Sequence, residues 1–113
     1  MRVVVADNDR DALDLAVLDL SLEGHEIVGV AADGDEAIVQ CRTHRPDALV
    51  VDYRMPPGPN GLEVARRVTE ELPGTRVVMF SNYSVARVIR AAAALGVTFL
   101  DKGDLRALRR ALS

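Results

Sequence analysis

Cysteine, lysine and long apolar runs are all scarce in this sequence. Its single cysteine, Cys41, excludes an internal disulfide and fits a reducing compartment, so we expect a cytoplasmic protein. No apolar run approaches the ~20 residues that a membrane-spanning helix needs, and no signal peptide is evident. The net charge of −3 gives no general reason to expect nucleic-acid binding. We therefore expect no membrane contact and no direct contact with nucleic acid.

The length and composition of the chain suit one domain over residues 1–113. Hydrophobic residues make up 49% of the chain, which argues against disorder. Five apolar runs alternate with five helix-like patterns, an order typical of βαβ units and of a parallel sheet with right-handed crossovers. The runs are Val3–Ala6, Ile27–Val30, Ala48–Val51, Val77–Phe80 and Val97–Leu100.

Start and stop signals divide the remaining segments into five helices. The first is predicted from about Asp9 to Glu23, because Gly24 is placed to end it. Cys41 falls on the apolar stripe of the second helix and is therefore expected to be a small core residue. The other four helices are predicted to begin at Asp33, at Asn60, after Ser84 and at about Asp104, the last ending near Ala111.

Polar residues whose side chains can take part in binding or catalysis follow four of the five predicted strands. Because the carboxyl ends of parallel strands meet at one edge of a sheet, these residues are expected to converge there. The groups are Asp7-Asn8-Asp9, Asp52, Ser81-Asn82 and Asp101-Lys102, the last containing the only lysine. Any one of them could be an ordinary polar residue at a strand end. Together they predict a site with both signs of charge and a hydroxyl.

The chemistry of such a site follows from its residue types. Clustered carboxylates raise each other's pKa unless a cation neutralises them. A few oxygen ligands on an open sheet edge suit Mg²⁺ better than a closed calcium cage. A carboxylate beside Mg²⁺ can attack phosphorus and give an aspartyl phosphate, and a lysine would offset charge on the transferred oxygens. The site is therefore expected to handle phosphoryl groups.

Four motifs resemble those of the receiver domains of two-component response regulators, in the same order and at the expected spacing. They are Val4-Val5-Ala6-Asp7-Asn8, Val51-Asp52-Tyr53-Arg54-Met55-Pro56, Phe80-Ser81-Asn82 and Phe99-Leu100-Asp101-Lys102. The resemblance covers essentially the whole chain. It implies an α/β fold, a doubly wound (βα)5 flavodoxin-like three-layer sandwich with parallel strand order 2-1-3-4-5.

The resemblance also implies roles for the residues of the site. Asp52 would accept a phosphoryl group from a partner histidine kinase or a small phosphodonor, and Lys102 would contact that group. Mg²⁺ would be held by Asp7, Asp52 and the backbone carbonyl of Arg54, with Asn8 in the place of a further acid. On this reading the chain is a signalling domain that catalyses only its own phosphorylation and dephosphorylation.

Further roles concern the response to phosphorylation. Ser81 would move toward the phosphoryl group and Phe99 would change rotamer with it. This would shift a two-state equilibrium at the face formed by the fourth helix, fifth strand and fifth helix. The side chains of Arg54 and Tyr83 would flank the site, where the family tunes its dephosphorylation rate. The downstream output domain or protein, the kinase and the signal are not named by the sequence.

Three departures from the family pattern affect these expectations. Asn8 replaces the second acid of the first-strand pair, which predicts weaker binding of Mg²⁺ than in relatives with two acids, and Asp9 is the alternative ligand. The loop Pro56-Pro57-Gly58-Pro59 is longer than usual by one residue. Gly103 follows Lys102 where many members have proline, so the usual cis peptide is in doubt there.

Asn8 also supports an alternative function, a pseudo-receiver that binds partners without phosphorylation. A small-molecule phosphotransferase is a third hypothesis, but nothing in 113 residues supplies a domain for substrate specificity. Both a stand-alone receiver and the front end of a longer regulator remain open.

The first helix is apolar on more than one side. Its pattern places Leu13, Ala16, Val17 and Leu20 in the core, whereas the family register places Ala12, Leu15, Ala16 and Leu20 there. Either way large apolar residues remain exposed. Such a stripe marks either scattered surface leucines or a partner surface for a homodimer or a kinase.

Overall fold

The computed structural model describes residues 1–113, which form a five-stranded parallel sheet with helices on both faces. The chain alternates strictly between strand and helix. In order, the elements are β1 (Arg2–Ala6), α1 (Arg10–Leu22), β2 (Glu26–Ala31), α2 (Gly34–His44), β3 (Ala48–Val51), α3 (Gly61–Glu71), β4 (Arg76–Ser81), α4 (Ala86–Ala94), β5 (Thr98–Asp101) and α5 (Leu105–Ala111).

The strands lie in the order β2-β1-β3-β4-β5, and every neighbouring pair is parallel. The predicted doubly wound architecture is therefore confirmed. Because all strands run in one direction, the carboxyl ends of β1, β3, β4 and β5 lie along the same edge of the sheet. This edge is where the predicted site residues follow their strands.

The two central strands are covered on both sides, which explains their continuous runs of valine and small apolar residues. No residue of Val3–Ala6 or Ala48–Val51 is more than 2% exposed. One core of 18 buried residues lies between the sheet and α2, α3 and α4. A second core, of 11 buried residues, lies between the sheet and α1 and α5. Full burial of each large aliphatic side chain contributes about 1.5–3 kcal/mol.

The buried face of α1 follows the hydrophobic pattern and not the family register. Leu13, Ala16 and Leu20 are buried, whereas Leu15 is 53% exposed. The family register was therefore wrong for Leu13 and Leu15. Asp19 is also buried on this helix, because it accepts hydrogen bonds from Arg109 of α5. Leu18 and Leu22 are 56% and 78% exposed, so an apolar stripe does face solvent.

Helix boundaries agree with the predicted signals at most ends. Asp9 is the N-cap of α1, and Gly24 follows that helix with a φ of +90°, a conformation that glycine adopts readily. α4 begins later than predicted, at Ala86, and its N-cap Val85 offers no side-chain acceptor. None of the five helices is long and apolar enough to cross a membrane.

Cys41 is fully buried on α2, as expected for a core residue. Burial raises the pKa of its thiol to about 12, because the apolar core disfavours the thiolate. The residue packs in the larger of the two cores. It therefore contributes to stability and not to the chemistry of the sheet edge.

Candidate functional site

A cavity of about 460 Å³ opens at the carboxyl edge of the sheet. It lies where the loops after β1, β3, β4 and β5 meet, as the topology requires. Polar and charged side chains dominate its wall. The lining residues are Asn8, Asp9, Asp52, Arg54, Ser81, Asn82, Tyr83 and Lys102.

Three charged residues, Asp7, Asp52 and Lys102, form what we call the floor of the site. The Lys102 ammonium Nζ lies 2.7 Å from Asp7 Oδ2 and 3.1 Å from Asp52 Oδ2. Asp7 and Asp52 are 5% and 9% exposed. The only lysine of the chain therefore bridges two buried carboxylates that would otherwise repel each other.

Burial and charge shift the pKa of two of these groups. Burial raises the pKa of Asp7, although the hydrogen bonds from Lys102 and from the backbone N–H of Asp9 oppose it. Burial alone would lower the pKa of Lys102, but the hydrogen bonds and charges of Asp7 and Asp52 outweigh it, so this pKa is raised. Lys102 therefore stays charged at neutral pH and provides a fixed cation in the floor.

Backbone hydrogen bonds and one glycine position the floor. The N–H of Asp52 donates to Ala6 O and the N–H of Asp7 donates to Ala31 O, both at 3.0 Å, so the sheet pattern continues one residue beyond each strand. A Cβ on Gly61 would lie 2.0 Å from the carbonyl oxygen of Asp52. Only glycine allows α3 to begin this close to the floor.

Asn8 and Asp9, in the loop after β1, have different hydrogen-bond partners. The Asp9 carboxylate accepts hydrogen bonds from the N–H groups of Asp11 and Ala12 and so caps α1. The Asn8 amide Nδ2 donates to Ala32 O and Pro56 O, both at 3.4 Å. The carboxylate of Asp9 is thus committed to the helix, although the residue borders the cavity.

The donor set of the site fits a magnesium ion better than a metal that requires histidine or thiolate ligands. No group of three or more His, Cys, Asp or Glu side chains comes together. The oxygen donors that the sequence predicts for such an ion are the carboxylates of Asp7 and Asp52, the Oδ1 of Asn8 and the carbonyl of Arg54. Neither of the last two oxygens accepts a hydrogen bond from the protein. A few hard oxygen ligands with room for water are what Mg²⁺ prefers.

Ser81 lines the cavity, whereas Phe99 does not. Ser81 ends β4, is 1% exposed, and its Oγ accepts a hydrogen bond from the N–H of Tyr83 at 3.1 Å. Its hydroxyl borders the cavity. Phe99 is half-buried on β5, opposite Met79 of β4, and packs against the larger core without lining the cavity.

Three stacked side chains, Tyr53, Tyr83 and Arg54, form what we call the mouth of the site. The Tyr53 and Tyr83 rings are nearly parallel, with an interplanar angle of 5° and centroids 4.9 Å apart. The Arg54 guanidinium carbon lies 4.2 Å from the centroid of the Tyr83 ring. Offset stacking and cation–π contact of this kind are favourable. The mouth joins the loop after β3 to the loop after β4.

The structure brings seven of the eight predicted site residues to one place and leaves Phe99 outside the cavity. Asn82 lines the cavity, as its position after the fourth predicted strand led us to expect, whereas sequence reasoning gave Tyr53 no part in the site. One signal was available for Tyr53: the chain has two tyrosines, and each stands two residues beyond the end of a strand that supplies the site. The peptide after Lys102 is trans, and the cis peptide of the chain joins Pro56 and Pro57.

A doubly wound sheet with this arrangement of acids, lysine and hydroxyl defines a class of signalling domain. A family model described as the response regulator receiver domain matches residues 3–113, and the chain belongs to this family. A similar fold occurs in the solved structure of a CheX–CheY–BeF₃–Mg²⁺ complex from Borrelia burgdorferi, which is 24% identical over 96% of this chain and 85% of that one, with a TM-score of 0.85.

Curated relatives include named bacterial regulators. NarL of Mycobacterium tuberculosis, named as a transcriptional regulatory protein, is 38% identical over 109 residues, which are 94% of this chain and 50% of the relative. The oxygen regulatory protein NreC of Staphylococcus haemolyticus is 34% identical over 84 residues, 74% of this chain and 39% of the relative. This chain therefore spans half or less of the length of these relatives.

A solved structure of the signal receiver domain of NarL from Mycobacterium tuberculosis superposes closely. Its TM-score is 0.87 at 35% identity, over 99% of this chain and 96% of that chain. The agreement extends across all of the elements and not only the sheet edge. The chain thus has the fold of that receiver domain over nearly its whole length.

Proposed function

We propose that this receiver domain is a phosphorylation switch in which Asp52 is the phosphoacceptor. A histidine kinase or a small phosphodonor would supply the phosphoryl group. A carboxylate oxygen of Asp52 would form the new O–P bond as the bond from phosphorus to the donor breaks, and the donor would leave with the electron pair. The product would be an aspartyl phosphate at the floor of the cavity.

The observation that carries this proposal is the position of Lys102 between two buried carboxylates beneath an open polar cavity. A lysine placed only for stability would need one acid and no access to solvent. Here the ammonium can exchange its contact with Asp52 for contact with phosphoryl oxygens while it keeps Asp7. A fixed cation of this kind stabilises charge on transferred oxygens.

The other residues of the site would support the phosphorylation of Asp52. Asp7 and Asp52, with Asn8 Oδ1 and the Arg54 carbonyl, would hold Mg²⁺, which when bound supplies further neutralisation of phosphoryl charge. The Ser81 hydroxyl borders the cavity and its hydrogen is not donated to any protein group. It is therefore available to donate to a phosphoryl oxygen.

The switch would act through the face formed by α4, β5 and α5. Movement of the Ser81 hydroxyl toward the phosphoryl group would favour one of two states of the β4–α4 loop, and Phe99 of β5 would change rotamer with it. The altered face would bind a downstream output domain or protein.

One observation favours a second candidate, a pseudo-receiver that acts without phosphorylation. The Asn8 amide bonds two backbone carbonyls and so has a structural role where an acid would serve the metal. Intact Asp52, Ser81 and Lys102 argue against this alternative. The two candidates make opposite predictions for a small phosphodonor.

The proposed function predicts that acetyl phosphate with Mg²⁺ adds one phosphoryl group to the wild-type chain and none to Asp52→Asn. The substitution keeps the shape of the side chain and removes its nucleophilic charge. Asp101→Asn is the matched control, because Asp101 is an exposed acid at the end of β5, which β4 separates from β3. Intact mass measures the number of groups, and lability to hydroxylamine identifies an acyl phosphate.

The three proteins separate the candidates. Labelling of the wild type and of Asp101→Asn, but not of Asp52→Asn, supports the phosphorylation switch. Equal labelling of Asp52→Asn contradicts the assignment of Asp52. If none of the proteins is labelled while all bind Mg²⁺, the pseudo-receiver is the better description.

A further inference from the structure

The two loops that form the mouth are joined by stacked side chains and by no hydrogen bond. No donor in residues 53–60 bonds an acceptor in residues 82–85, or the reverse. The contact between the loops is carried by the parallel rings of Tyr53 and Tyr83 and by the Arg54 guanidinium. The position of Tyr83 over the site therefore depends on packing, both against the larger core and against the two side chains stacked on its ring.

Both stacked tyrosines are also tied to the reactive groups of the site. The backbone N–H of Tyr53 donates to Asp52 Oδ1 at 2.7 Å. The backbone N–H of Tyr83 donates to Ser81 Oγ at 3.1 Å. Any rearrangement of Asp52 or Ser81 therefore acts on the backbone of a residue in the stack. The mouth is coupled to the floor through these two bonds.

Tyr53 differs from its stacking partners in one respect. Tyr83 and Arg54 line the cavity, whereas Tyr53 does not. Its ring stacks on that of Tyr83, and both rings pack against the larger core. Because the Tyr53 side chain does not line the cavity, its effect on the cavity wall is expected to pass through Tyr83.

We propose that Tyr53 is a positioning residue that holds Tyr83 over the cavity and so sets the lifetime of the phosphoryl group on Asp52. Hydrolysis requires a water molecule in line with the Asp52–phosphorus bond, and Tyr83 borders the space through which that water must pass. Loss of the Tyr53 ring frees Tyr83 and opens that space. This proposal rests on the proposed function and adds the control of its reverse step.

The size of the expected effect follows from the strength of ring stacking. Aromatic pairs contribute enough beyond their burial to change the population of a closed arrangement roughly two- to tenfold. The dephosphorylation rate should rise by the same factor when the ring is removed, because the open arrangement is the one that admits water. The phosphorylation reaction itself should change less, since Tyr53 lies outside the cavity.

The sequence offers a direct probe of the stack. Tyr53 and Tyr83 are the only tyrosines and the chain has no tryptophan. In Tyr53→Phe and in Tyr53→Leu, Tyr83 is thus the single tyrosine fluorophore. The first variant keeps a ring against Tyr83, and the second keeps apolar volume without a ring. Acrylamide quenching of the two variants compares the accessibility of Tyr83 without any phosphorylation.

The experiment combines this quenching with the decay of the phosphorylated chain after removal of acetyl phosphate. We expect Tyr53→Phe to keep the wild-type lifetime, and Tyr53→Leu to shorten it roughly two- to tenfold and to raise the quenching of Tyr83. Far-UV circular dichroism checks that both variants fold, and Tyr53→Met serves as a second variant without a ring if Tyr53→Leu does not.

The outcomes distinguish this proposal from the proposed function. Equal lifetimes in Tyr53→Phe and Tyr53→Leu, or equal quenching of Tyr83 in both, would overturn the positioning role while the phosphorylation of Asp52 stands. A shortened lifetime in Tyr53→Phe as large as in Tyr53→Leu would also overturn it, because the ring would not be what matters. If the wild type takes no phosphoryl group, the proposed function fails and the role of Tyr53 fails with it.

Discussion

The floor and the mouth of the site are built in opposite ways. The floor consists of two buried acids and a half-buried lysine, which follow directly on strands of the sheet and are joined by ion pairs. The mouth consists of stacked planar groups on two loops, with the tyrosines half-buried and Arg54 exposed. If the proposed function is right, the comparison teaches that the sheet would fix where phosphorylation takes place, whereas the loops would control access to Asp52.

Their different connections predict different consequences of mutation. The floor is held by backbone bonds that extend the strand pairing, so its geometry is as rigid as the sheet. The mouth is held by ring contacts, which are weaker and exchange more easily. Variants of the floor should decide whether phosphorylation occurs, and variants of the mouth should decide how long it lasts.

The largest effect is expected from Lys102→Ala. Removing the cation leaves Asp7 and Asp52 facing each other without a partner and removes charge stabilisation from the transferred oxygens. Loss of one such group typically slows a reaction by about 10²–10³-fold. The rate of labelling by acetyl phosphate, followed by intact mass, measures this effect.

Ser81→Ala is the comparison that sharpens this test. We expect Ser81→Ala to reduce labelling less than it reduces the conformational response, because the Ser81 hydroxyl would hydrogen-bond the phosphoryl group without supplying charge. The response can be followed from the backbone NMR shifts of α4 and β5. The assignment of roles would be reversed if Ser81→Ala stopped labelling while Lys102→Ala did not.

An intermediate effect is expected at Asn8. Two unit charges 4 Å apart interact by about 4 kcal/mol at an effective dielectric of about 20, and desolvation and ligand repulsion offset much of that. Asn8→Asp should therefore tighten Mg²⁺ binding and lower the Mg²⁺ needed for phosphorylation. Titration of Mg²⁺ against wild type and variant measures the change.

Asp9→Asn is the matched control for this prediction. Asp9 caps α1 through its side chain, and asparagine caps a helix about as well as aspartate. Mg²⁺ binding and stability should both change little. If Asp9→Asn destroyed Mg²⁺ binding and Asn8→Asp left it unchanged, Asp9 would be the ligand instead.

The smallest effect on the site is expected from the exposed stripe of α1, which belongs to neither floor nor mouth. Leu18→Arg with Leu22→Arg should leave labelling by acetyl phosphate unchanged and alter stability by no more than about 0.5 kcal/mol. If the stripe contacts a kinase or a second copy of the chain, kinase titration or light scattering will change. Unchanged binding and assembly would leave Leu18 and Leu22 as ordinary surface leucines.

The floor could be predicted from the sequence because topology alone brings strand ends together. Asp7 and Asp52 directly follow apolar runs, and Lys102 follows one after a single residue. Parallel pairing places the ends of all these runs at the same edge of the sheet. The strand order itself came from resemblance to receiver domains, since periodicity does not specify which strands are neighbours.

The mouth and the buried polar contacts could not be predicted in this way. The stacking of Tyr53 on Tyr83 depends on the paths of two loops, which no periodicity encodes. The burial of Asp19 depends on Arg109, which lies 90 positions away and cannot be paired with it from the sequence alone. The register of α1 was resolved by the spacing of its leucines and not by the family pattern, so local hydrophobic pattern was the better guide there.

The burial of Cys41 has a practical consequence for experiments on this chain. Its thiol is enclosed by the core and its pKa is raised to about 12, so alkylating reagents at neutral pH should leave it untouched while the chain is folded. A cysteine introduced on the surface would then be the only thiol to react. Fluorophores or spin labels could be attached at single chosen positions without first replacing a native residue.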